Sequence, residues 1–91
     1  MKRIEIIANK TVEENIHEAL SELEVGQYYT KFAIAHGRGK SGTRFGDAVW
    51  PEENFILLIY AGEREAELIK RAVGKVKNDF PAEGIKLFEL G

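Results

Sequence analysis

Apolar positions along the chain follow two alternating periods. Arg3 to Ala8 is rich in isoleucine and predicts a strand. After a break at Asn9 to Thr11, Val12, Ile16, Ala19, Leu20 and Leu23 recur at helical spacing and define one buried stripe. Thr11-x-x-Glu14 has the form of a capping box, which places the helix start there, and Gly26 is expected to end the helix. Tyr28 to Ala35 alternates as a second strand. Tyr28, Thr30, Phe32 and Ile34 fall on one face, and Tyr29, Lys31, Ala33 and Ala35 on the other. Asn54 to Tyr60 is a third strand, and Phe55 to Tyr60 is apolar throughout. Such a run needs cover on both faces, so this strand is expected at the centre of a sheet. Gly62 and the acidic Glu63, Glu65 and Glu67 open a second helix, where carboxylates suit the positive end of the helix dipole. Ala66, Ile69, Val73 and Val76 form its stripe, with Phe80 closing it, and Lys70, Arg71, Lys75 and Lys77 lie towards its C-terminal half. Asn78 to Gly84, around Pro81, reads as a turn, and Ile85 to Leu90 as the last strand.

The order is β-α-β-β-α-β. It predicts an α+β, ferredoxin-like fold, a four-stranded antiparallel sheet with two helices on one face, in a single domain over residues 1–91. The other sheet face would then expose Leu, Ile, Phe or Tyr from the third strand. Contiguous exposed apolar surface marks an interface, so a homo-oligomer is expected. The size agrees, because a domain this small buries only roughly 60–65 % of its unfolded surface.

Composition narrows the function classes. There is no cysteine, hence no disulfide framework, thiolate metal site or cysteine nucleophile, which fits a cytoplasmic location. No apolar run is long enough to span a bilayer, and the N-terminus leads straight into the first strand, so no membrane insertion is expected. The formal net charge of -2 argues against general nucleic-acid binding. The charge is uneven, however. Residues 37–47 carry Arg38, Lys40 and Arg44 against Asp47, a net of +2, which leaves -4 for the rest.

Those cations belong to the stretch His36 to Pro51, HGRGKSGTRFGDAVWP, which also holds Gly37, Gly39, Gly42 and Gly46. Gly39-Lys40-Ser41 invites comparison with a phosphate-binding P-loop. That motif requires an earlier glycine where this chain has Ile34 and Ala35, and a helix afterwards where this chain has a strand. A looser anion-binding nest of backbone N–H groups with Arg38, Lys40 and Arg44 is compatible with the residues. So is a plain connection whose charges are solvated. Phe45 and Trp50 are candidate anchors for a partner, and Trp50 can equally fold back to cap the sheet edge of a neighbouring subunit.

Neither histidine has a helical i, i+4 histidine partner of the kind that binds zinc. His36, at a strand end, suits anion binding or a pH response. Glu13, Glu14, Glu18, Glu22 and Glu24 crowd the first helix off its apolar stripe and read as a solvated face. Glu52 and Glu53 border the loop. Ser21 and Ser41 lack an activating neighbour, and no nucleophile–base set emerges. The chain is therefore expected not to be an enzyme.

The element order, the Gly37-Arg38-Gly39 exit from the second strand and the run GRGKSGTRFGDAVWPEEN together resemble the PII-like signalling proteins. These form a branch of the nitrogen-regulatory PII superfamily, to which the CutA divalent-cation tolerance proteins are more distantly similar. The resemblance covers nearly the whole chain. It implies a compact cytoplasmic homotrimer with inward-facing sheets. It makes segment 37–53, with Arg38 to Trp50 as its body, the T-loop that contacts a protein target such as a transporter or enzyme. It implies an adenine nucleotide or other small anion between subunits, with Gly37 at the loop base and Gly84 and Lys86 in the segment after the second helix. That segment, Asn78-Asp79-Phe80-Pro81-Ala82-Glu83-Gly84, departs from the family's TGxxGDGK pattern, and no tyrosine lies between Gly37 and Asn54 for uridylylation. The expected ligand-binding residues are thus Gly37, Arg38, Gly39, Lys40, Arg44 and Lys86, with Phe45 and Trp50 for the partner. The alternative, a CutA-like metal-handling trimer, would use His36 and nearby carboxylates.

Overall fold

The computed structural model describes residues 1–35 and 53–91. The elements follow the expected order: β1 (Lys2–Asn9), a 3-10 turn (Lys10–Val12), α1 (Glu13–Glu22), β2 (Thr30–Ala35), β3 (Asn54–Ala61), α2 (Glu63–Asp79) and β4 (Ile85–Leu90). The strands form one sheet in the order β2-β3-β1-β4, and every pairing is antiparallel. The continuous apolar run of β3 is explained by its interior position between β1 and β2.

Register fixes the two faces. Ile4 opposes Ile59, Ile6 opposes Leu57 and Leu87, and Ala8 opposes Phe55 and Ile85. These positions face the helices and close the core with Val12, Ile16, Leu20, Ala66, Ile69, Val73 and Val76. Ala72 joins the α2 stripe as well.

Chain ends of the elements differ from the sequence expectation in four places. The Thr11–Glu14 capping box does not form. Instead Asn9 caps the 3-10 turn, its Oδ1 accepting from the Thr11 N–H at 2.9 Å, and α1 starts at Glu13 without a side-chain cap. Asn9 has the shorter reach to an N–H two residues on, which the tighter 3-10 geometry presents.

Gly26 does not terminate α1. The Glu24 N–H donates to the Ser21 carbonyl and the Val25 N–H to the Leu20 carbonyl, each at 3.0 Å, with Glu24 itself at φ 56°. This is a Schellman closure with glutamate where glycine is usual. Gly26 serves a different need. It sits at φ +64°, a Cβ there would lie 3.2 Å from Leu20 and 3.3 Å from Ile59, and its N–H donates to Glu65 at 3.0 Å.

Phe80 does not close the α2 stripe. It is the C-cap residue and is 37 % exposed, because α2 runs on to Asp79 and turns it past the core. β2 begins at Thr30 rather than Tyr28, and its register with β3 shifts between Phe32 and Ala35.

Candidate functional site

One end of the sheet gathers the chain segments to which the sequence pointed. Ala35, the last residue of β2, pairs with Asn54, the first of β3, and Asn54 pairs with Asn9 at the end of β1. The Asn9 N–H donates to the Gly84 carbonyl at 3.1 Å, just ahead of β4. Ala35, Asn54, Asn9 and Gly84 thus form one row across four adjacent strand ends. The Lys10 N–H closes the same end by donating to the Glu53 carbonyl at 2.9 Å. Asn9 is the buried polar side chain among the described residues, and its cap hydrogen bond satisfies it there. Both stems of segment 36–52 and the α2–β4 turn therefore lie at the same end of the sheet, with β1 between β3 and β4.

Of the expected ligand-binding residues, Lys86 is described. It opposes Ile7, and the row Phe32–Ile56–Ile7–Lys86 runs across the helix-free face. Three strand spacings of about 4.8 Å place it about 14 Å from the β2 stem. Within one subunit, then, Lys86 and that stem are not neighbours. The strands β3 and β1 separate them, and the α2–β4 turn ahead of Lys86 is internally bonded, the Glu83 N–H donating to the Phe80 carbonyl at 3.0 Å. Glu83 in this turn and Asp79 at the end of α2 add carboxylates there. His36, Gly37, Arg38, Gly39, Lys40, Arg44, Phe45 and Trp50 lie outside the described residues. Among the described residues no group of three potential metal ligands converges.

The helix-free face is the second feature. Phe32, Tyr60, Phe88 and Leu90 are 51 %, 60 %, 47 % and 43 % exposed there. Ile7, Ile56 and Leu58 lie half-buried between them. Two charges, which the sequence reading did not single out, interrupt this surface on the interior strand β1. Arg3 Nε lies 3.2 Å from Glu5 Oε2. Their i, i+2 spacing with Ile7 is the signal that would have placed them on this face.

On the helix side, Glu13 of α1 contacts Lys31 of β2 and lies 3.8 Å from His17, whose ring packs against Tyr29 with centroids 5.1 Å apart. His17 is therefore engaged in holding α1 to the edge strand. At the opposite edge Lys70 of α2 bonds both Glu67 and Glu89 at 2.7 Å. Hydrogen bonds to these carboxylates, Glu67 first, raise the Lys70 pKa, and the bond from Lys70 lowers that of Glu89.

Comparison with known proteins identifies the scaffold. The family model for nitrogen regulatory protein P-II matches residues 1–87. The chain belongs to that family. Among solved structures, it is similar to CPII of Thiomonas intermedia K12, a nitrogen regulatory PII-like protein bound to ADP, AMP and bicarbonate. The TM-score is 0.71 at 21 % identity, over 98 % of this chain and 82 % of that one. The apo form of CPII superposes with a TM-score of 0.63 at 16 % identity, over 98 % and 87 %. A PII-like signalling protein of Thermus thermophilus gives 0.64 at 23 % identity, over 98 % and 83 %. Other crystals of CPII contain ADP with bicarbonate, or ADP, AMP and acetate. No curated protein matches the chain. The matched family is the nitrogen-regulatory one, which does not favour the CutA-like alternative. Among the described residues, no helix is long and apolar enough to cross a membrane.

Proposed function

We propose that this chain is a trimeric, cytoplasmic P-II regulator without catalytic activity. Segment 37–53 is its T-loop, which engages a protein target in response to a small anionic effector. The observation that supports this most is the row Ala35–Asn54–Asn9–Gly84, which puts both loop stems and the α2–β4 turn at the same end of the sheet. A ligand seated at that end touches the base of the loop. Arg38, Lys40 and Arg44 supply positive charge, Gly37 and Gly39 admit a close backbone approach to an anion, and Phe45 and Trp50 anchor the target.

The effector is an adenine nucleotide, bicarbonate or both, by analogy with CPII. The carboxylates of Asp79 and Glu83 favour the less charged end of that series, because like charge repels a polyphosphate. The separation of Lys86 from the β2 stem is consistent with a cleft between subunits, where one chain brings its loop base and its neighbour brings Lys86.

Calorimetric titration with ADP, AMP, ATP, bicarbonate, copper and zinc tests this reading. AMP, ADP or bicarbonate is expected to bind. Arg38→Ala/Arg44→Ala is expected to weaken that binding at least ~10-fold, as loss of charge-assisted bonds does, while leaving the melting temperature nearly unchanged. Heat from copper or zinc alone, with none from the anions, would overturn it, as would a large loss of stability in the double variant.

A further inference from the structure

The helix-free sheet face carries two charges at its centre, on β1, with Lys86 the further charge at the β4 margin. Arg3 is flanked across the ladder by Tyr60 of β3 and Leu90 of β4, and Glu5 by Leu58 and Phe88. Each charge therefore has apolar cross-strand neighbours on both sides. In a single chain this costs little, since the Arg3 and Glu5 side chains remain 44 % and 28 % exposed to water. Once anything covers the face, that water is lost. A desolvated ion pair is tolerated only where further hydrogen bonds satisfy its remaining donors and lone pairs. The Arg3 contact uses Nε, which leaves the guanidinium amino groups to reach a second carboxylate. Among the described residues, Glu5 is the one carboxylate within ion-pair distance of Arg3.

We propose that Arg3 and Glu5 form the specificity element of self-association through this face: Arg3 of one copy bonds Glu5 of the next, closing a neutral cluster of alternating charge. The occupant is a second copy of this chain because each copy offers one donor fork and one acceptor side by side on the same strand, so identical faces are complementary in charge as well as apolar. A purely apolar partner would strand both charges. This inference rests on the trimeric reading of the protein, deepening it from the fact of association to the residues that set its register and number. Central polar groups in an apolar seam are the best-attested way to fix both.

Charge exchange tests it. Arg3→Glu and Glu5→Arg, singly and together, are compared with the wild-type full chain by light scattering and sedimentation across a dilution series, with far-ultraviolet circular dichroism to confirm folding. Each single variant places like charges in the cluster and is expected to raise the dissociation midpoint at least ~10-fold. The double variant restores neutrality and is expected to return to within ~3-fold of wild type. Glu5→Gln, nearly isosteric, is the second arm should a reversal perturb folding, and is expected to weaken association in the same direction. A wild-type trimer unchanged by the single variants overturns this inference alone. A wild-type chain that stays monomeric overturns it together with the trimeric reading.

Discussion

On the helix side of the sheet, Ile4, Ile6, Leu57 and Ile59 are at most 1 % exposed, whereas one residue away on the same strands Tyr60 stays 60 % exposed and Leu58 half-buried. Strand β3 is apolar on both faces, so composition does not separate them. β1 does. It sends Ile4, Ile6 and Ala8 towards the helices, and Arg3, Glu5 and Ile7 the other way. The first face is finished by its own chain. The second is left uncovered by its own chain and carries Arg3 and Glu5 among its apolar residues. The difference shows that the covered face and the uncovered face are written on alternate residues of the same strands.

Truncation on each face should break the symmetry most visibly. Leu57→Ala opens a cavity in a fully buried site and is expected to lower the folding stability by about 2–5 kcal/mol, read from urea denaturation. Leu58→Ala, the next residue, is expected to cost the dissociated chain less than about 1 kcal/mol, as a partly exposed side chain does. Its effect should fall on the dissociation midpoint of the oligomer. Equal losses of stability at the two positions would show that the second face is structural within the subunit.

The sheet end that carries the loop stems supplies a smaller contrast. Asn9→Ala removes the cap on the Thr11 N–H and is expected to cost about 1 kcal/mol in thermal denaturation, with Asn9→Ser recovering most of it. If the row Ala35–Asn54–Asn9–Gly84 positions the effector, Asn9→Ala should also weaken ligand binding beyond its effect on stability. A change in stability with unaltered binding would separate the cap from the site.

The regular elements were legible because periodicity is local. Val12, Ile16, Ala19 and Leu20, or Ala66, Ile69 and Val73, announce a buried stripe within one window of sequence. The sheet end was not legible as a site, because register alone joins residues 35, 54, 9 and 84, which lie far apart in the chain. Caps were misread for a related reason. A capping box and a glycine are frequent solutions, but Asn9 competed for the Thr11 N–H, and Glu24, left-handed like Gly26, took the helix-ending position expected of the glycine. Arg3 and Glu5 were overlooked because each alone is an ordinary exposed charge. Their meaning comes from Tyr60, Leu58, Phe88 and Leu90 beside them on other strands.

Glu24 gives a prediction of opposite sign. A left-handed backbone costs a side-chain-bearing residue roughly 1–2 kcal/mol, and glycine gives back part of that as unfolded-state entropy. Glu24→Gly is therefore expected to stabilise the chain by about 0.5 kcal/mol in urea denaturation. Because α1 packs on the helix face, association through the other face should be unaffected, which makes this a control for the comparison.

The smallest effect belongs to the exposed cluster of Lys70, Glu67 and Glu89 that joins α2 to β4. Its signs at the two ends of the pH scale are opposite. The bond from Lys70 holds the Glu89 carboxyl below its ordinary pKa of 4.5, so this contribution is present above that pH and lost as pH falls through the lowered folded value. Lys70 is held above its ordinary 10.5, so its contribution is present below that pH and lost as pH rises through the raised folded value. Between these limits the cluster adds a constant, small increment, since exposed pairs are screened by water and salt. Lys70→Met is expected to lower the melting temperature slightly on that plateau, less at 1 M salt, and to leave the two chains converging in strong acid and strong base. It touches only the helix side of the sheet, so the oligomer's dissociation midpoint should not move. A midpoint that did move would tie the two faces together through β4, whose Glu89 looks towards the helices while Phe88 and Leu90 on either side look away.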